Sequence, residues 1–98
     1  MSDNKSDEIL TPYRDQIDVL DDEIVRLLGQ RVQIVRKVAD AKHAHGLSVV
    51  RPKRMGIVLD RAEVLAEKNG IKPSVVRHIY ETLIDYAHEL EQEIIDEK

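Results

Sequence analysis

The feature that most constrains this chain is a long helical pattern, roughly Asp7 to His43, whose apolar stripe carries three cations. Steps of three or four residues from Arg14 meet Ile17, Leu20, Ile24, Leu27, Arg31, Ile34, Val38 and Lys42. Six of these nine positions are aliphatic, which is the spacing of a core-facing helix. Arg14, Arg31 and Lys42 stand in phase with them. An unpaired charge in a core is costly. These side chains therefore either snorkel into water or converge on an anion.

The length of the pattern adds a second constraint. A little over 30 helical residues span about 45–50 Å at ~1.5 Å per residue. A compact chain of this size has a radius of gyration of only about 13 Å. Two further helices of one chain cannot cover such a stripe. An interlocked homodimer, with the partner's long helix over the remainder, is the expected solution.

Turn signals divide the 98 residues into three helices of one domain. Pro12 reads as the first residue of the regular helix, with Thr11 as its N-cap and residues 1–10 as a flexible tail. Gly46 stops the helix after His43. Residues 44–51 form a loop, and Pro52 sits at or just before the start of helix 2. Asn69-Gly70 ends that helix, and Pro73-Ser74 opens helix 3, with Ser74 as N-cap, running to about Asp96. Helix 3 carries a wide apolar stripe, including Val76, Ile79, Leu83, Ile84, Ala87 and Leu90. The fold class expected is all-α: long, short and medium helices.

Composition removes several chemistries. There is no Cys, so thiol nucleophiles and cysteine-rich zinc sites are excluded. His43 and His45 fall in a loop, and His78 and His88 lie about 100° apart around helix 3, so no metal is expected. No phosphate loop, cofactor fingerprint or nucleophilic triad is present, and no cofactor is expected. No apolar run approaches a membrane span, and the start MSDNKSDE lacks the apolar region of a signal peptide. A cytoplasmic protein without membrane or nucleic-acid partners is the expectation. The net charge of −4 is uneven, with acidic ends and a basic middle from Arg31 to Arg54. Several of these basic residues are in phase with apolar positions, which points to a small buried anion rather than nucleic acid.

Arg31 lies mid-helix between Leu27 and Val35, far from a terminus. Arg14 lies seventeen residues earlier, about 25 Å along one helix. The two can share a small ligand only between antiparallel chains, which would create two equivalent pockets. Lys42 follows Arg31 by eleven residues on the same face. Arg54 can face ligand or solvent, and Arg51 reads as solvated. Glu91 lies on the helix 3 line Tyr80, Ile84, Ala87, Glu91, Ile94. There it either balances a basic pocket or is a boundary residue on an acidic, solvated end.

The run Arg14-Asp-Gln-Ile17, Leu20-Asp21, Ile24, Leu27, Arg31, then Ala41-Lys42, resembles the AroQ-type (all-α) chorismate mutase family over about residues 10–95. The resemblance implies an intertwined homodimer with shared active sites. It implies an isomerase of aromatic amino acid biosynthesis (the shikimate pathway), turning chorismate into prephenate without a cofactor. Arg14 from the partner and Arg31 would hold the substrate carboxylates. Lys42 would bind a carboxylate and the ether oxygen, and Arg54 would sit near the substrate. Glu91 occupies the place of a helix 3 Gln, Glu in some members, that donates to the ether oxygen. As a donor it must carry a proton, so activity should rise toward acid pH.

Three positions depart from the best-known mutase pattern. Met55 stands where Glu often binds the substrate hydroxyl, Arg51 where an acid is common, and Ala87 where a Ser is found. An apolar residue at the Met55 position is also similar to the isochorismate-pyruvate lyase branch, as is the segment Ala66-Glu67-Lys68-Asn69-Gly70. The alternatives are therefore a lyase yielding salicylate and pyruvate, a sister enzyme on an amino-chorismate, and a non-catalytic helical dimer that binds a small dicarboxylate or a protein partner.

Overall fold

A computed structural model describes residues 2–98, and side chains from residue 4 onward. The expectation placed on Met1 lies outside the described residues. Three helices follow in order: α1 Ser2–Ala44, α2 Pro52–Lys68 and α3 Pro73–Asp96. Among the described residues there is no strand. Among the described residues no helix is long and apolar enough to cross a membrane. The chain divides into two compact units, one ending at Gln33 and one running Ile34–Lys98.

The start of α1 differs from the expected Thr11. The helix begins at Ser2, so residues 2–10 are helical, and Pro12 lies inside it. Proline removes one intrahelical donor and crowds the carbonyl four residues back. Side chains around it add other bonds. The Thr11 hydroxyl donates to the Asp7 carbonyl at 2.6 Å, Gln16 Nε2 donates to the Pro12 carbonyl at 3.1 Å, and Arg14 Nη1 bonds Asp7 Oδ1 at 2.8 Å. Thr11 is thus a mid-helix hydroxyl bonded one turn back, not a cap. Ile17, Leu20, Ile24 and Leu27 remain more than half exposed. Arg26 grips the exposed Glu23 through two bonds and holds its carboxyl below the usual range.

In the second unit the helix ends follow the glycines. Gly46 adopts φ +63°, and the Leu47 amide reaches the Lys42 carbonyl at 2.8 Å while the Gly46 amide reaches His43. This is a Schellman ending. Gly70 repeats it at φ +70°, with the Ile71 amide on the Ala66 carbonyl at 2.9 Å. Pro52 and Pro73 occupy the first turns of α2 and α3. The N-cap of α3 is Lys72, two residues earlier than the expected Ser74, because Pro73 itself opens the helix.

The buried core of this unit is Ala39, Ala62, Ala66, Ile84, Ala87 and Leu90. Alanines on three helices leave little side-chain bulk between facing backbones. Arg77 of α3 reaches Glu63 of α2 at 2.9 Å and ties the two helices at their rim. Lys98, just past α3, pairs with Asp40 of α1 at 3.0 Å.

Candidate active site

One charged side chain lies inside this alanine-rich core. Glu91 is 4% exposed, one position beyond buried Leu90 and one turn beyond buried Ala87. Its line through Ile84 and Ala87 turns it inward, so its place in an acidic sequence run does not make it a surface residue. The cation that faces it is Lys42. Nζ of Lys42 lies 2.5 Å from Oε1 of Glu91, with side-chain exposures of 12% and 5%. Nζ also donates to the Val49 carbonyl at 2.7 Å. One ammonium thus joins α1, α3 and the intervening loop.

The Schellman ending fixes where Lys42 can point. Its own carbonyl is the acceptor of the Leu47 amide, so the chain turns back immediately after it and carries Val49 to its ammonium. The Lys42–Glu91 contact is close enough for an ion pair but lacks hydrogen-bond alignment. Oε1 of Glu91 is buried with no hydrogen-bond partner among the described residues. That oxygen is the one that faces the Lys42 ammonium, and the ion pair offsets its burial.

The other expected residues are placed as follows. Arg54 and Met55 lie in the first turns of α2, Arg54 exposed and Met55 half-buried. Arg54 lines a cleft of about 380 Å³ with Arg51, Lys53, Val50 and Ile57. Ala87 is buried one turn before Glu91. Arg14 and Arg31 belong to the first unit. Arg14 is exposed and held by Asp7, while Arg31 is half-buried and is itself engaged. The structure therefore brings Lys42 to Glu91. Two features were not singled out from sequence: the Val49 carbonyl and the place of Arg51 in the cleft. A backbone acceptor leaves no residue-type signal. For Arg51 the clue was its spacing of three from Arg54.

The chain is all-α and buries a lysine against a carboxylate, with further cations close in sequence. The chain belongs to the chorismate mutase type II family, whose profile matches residues 13–92. It is 33% identical over 84 residues to the T-protein of Haemophilus influenzae, a match covering 84% of this chain and 22% of that protein. It thus spans about a fifth of that relative. It is 26% identical over 90 residues to the chorismate mutase of Methanocaldococcus jannaschii, covering 92% of this chain and 91% of that one. A 4-amino-4-deoxychorismate mutase of Streptomyces venezuelae is 28% identical over 75 residues, with coverage of 76% and 73%.

Proposed function

We propose that this chain is a chorismate mutase, acting as a homodimer on chorismate to give prephenate. The single observation that carries the reading is the buried Lys42–Glu91 pair in a chain of this family. The match over 91% of the Methanocaldococcus jannaschii mutase supports taking residues 1–98 as a single mutase-like domain.

The rearrangement breaks the ether C–O bond and forms a C–C bond within one cyclic transition state. No proton, metal or nucleophile is consumed. What the protein must supply is a compact conformer and stabilisation of charge on the departing oxygen. Chorismate carries two carboxylates, and Arg14 of the partner subunit, Arg31 and Arg54 are the cations to hold them. Each charge-assisted hydrogen bond is worth about 1.5–3 kcal/mol. Lys42 turns its ammonium to a carboxylate and the ether oxygen. Glu91, in its protonated form, is the hydrogen-bond donor to the same oxygen. The bare aliphatic stripe Ile17, Leu20, Ile24 and Leu27 supports the dimer, since each Leu or Ile fully buried contributes about 1.5–3 kcal/mol.

A second reading has its own support. Relatives from Streptomyces venezuelae and Streptomyces pristinaespiralis are named 4-amino-4-deoxychorismate mutases. The same cations would serve that substrate. None of the relatives named here carries a lyase name, so the isochorismate-pyruvate lyase alternative has no support from them.

The test is a parallel assay of the purified chain with chorismate, 4-amino-4-deoxychorismate and isochorismate, with products identified. Prephenate from chorismate at the highest kcat/KM is the expected result. A preference for the amino substrate supports the second reading, and salicylate with pyruvate from isochorismate contradicts both.

A further inference from the structure

The cleft at the start of α2 carries a charge that its surroundings do not neutralise. Arg51, Lys53 and Arg54 line it, the apolar wall comes from Val50, Pro52 and Ile57, and no acidic residue is among the lining. Arg51, Lys53 and Arg54 form no ion pair among the described residues, although Asp and Glu outnumber Lys and Arg by 19 to 15 in the chain. Exposed Arg36 and Arg61 are likewise without an ion pair among the described residues, so what sets the cleft apart is three such cations lining one volume with no acid beside them.

Pro52 fixes the backbone between Arg51 and the first turn of α2, and Arg51 caps the helix in an extended conformation, φ −126° and ψ 91°. Arg51 at the end of the loop and Arg54 in the first turn of α2 both line the cleft. Lys42 secures that loop through the Val49 carbonyl two residues before Arg51. The volume of about 380 Å³ falls within the range of small-molecule sites.

The geometry points to Arg51 as a further substrate-binding residue, acting with Arg54 on a carboxylate of the dianion. This deepens the proposed function and rests on it. Arg51 supplies ground-state and transition-state binding alike, because a carboxylate remote from the breaking bond keeps its charge throughout. The signature is then in KM rather than kcat.

Steady-state kinetics of the full chain with chorismate test this, using Arg51→Ala, Arg51→Lys and, as a charge control, Lys68→Ala at the far end of α2. Arg51→Ala should raise KM about 5- to 20-fold, an exposed pair being weaker than a buried one. Its kcat should stay within about twofold. Arg51→Lys should recover part of the loss, and added salt should narrow the gap between wild type and Arg51→Ala. Unchanged KM in Arg51→Ala, or an equal rise in Lys68→Ala, overturns the assignment while leaving the mutase reading intact. If the wild type converts no chorismate, the mutase reading fails separately. Calorimetric titration with malate then tests the cleft: binding lost in Arg51→Ala supports it, and no binding to wild type overturns it.

Discussion

Lys42 Nζ lies 2.5 Å from Glu91 Oε1 in the interior of the second unit, and its other bond goes to the Val49 carbonyl. The pair joins the end of the long helix to the last third of α3. Each side chain is the condition for burying the other. Removing one leaves a charge with nothing to meet it.

That coupling predicts a stability cycle. Lys42→Met should destabilise the fold by about 3–5 kcal/mol, the cost of an orphaned buried charge. Combining it with Glu91→Leu should restore most of the loss, since an apolar pair of similar volume packs against Ala87 and Leu90. Both variants should be inactive on chorismate. Denaturant unfolding reads the energies, and additive losses in the double variant would show that the two residues do not act as a pair.

Gly46 gives a backbone prediction. Its φ of +63° closes the Schellman ending that aims Lys42, and no atom lies within 4 Å of where a Cβ would stand. Gly46→Ala should therefore cost about 1–2 kcal/mol through the left-handed conformation alone. A variant as stable as the wild type in urea unfolding would mean that this ending is not held.

The exposed stripe of the first unit carries the prediction for assembly. Leu20→Asp with Leu27→Asp places two charges on a face that is more than half bare in the single chain. Sedimentation should show a dimer for the wild type and a monomer for the variant, with chorismate turnover lost in parallel. A monomeric wild type that turns over chorismate would contradict shared sites.

Much of this was legible in sequence, for reasons that differ between elements. Gly46, Pro52, Asn69-Gly70 and Pro73 set their helix boundaries because each imposes a backbone conformation that few other residues accept. Thr11-Pro12 misled: a proline suited to a helix start is here carried within a helix. Lys42 stood out by its phase with Ile34 and Val38. Glu91 was harder to read because the sequence around it is acidic, and only the packing of α3 separates its inward side from its outward one. Arg51 read as solvated, and it is exposed, but its share in a cleft depends on how the loop folds back onto α2.

The most direct test measures kcat/KM for chorismate in wild type, Lys42→Ala and Glu91→Gln. Glu91→Gln keeps a donor for the ether oxygen and should retain activity. Lys42→Ala should lose at least about a hundredfold in kcat/KM, the scale of one lost transition-state donor. A Lys42→Ala variant that retains its rate, or a Glu91→Gln variant as slow as Lys42→Ala, would contradict the claim that this buried pair carries the chemistry.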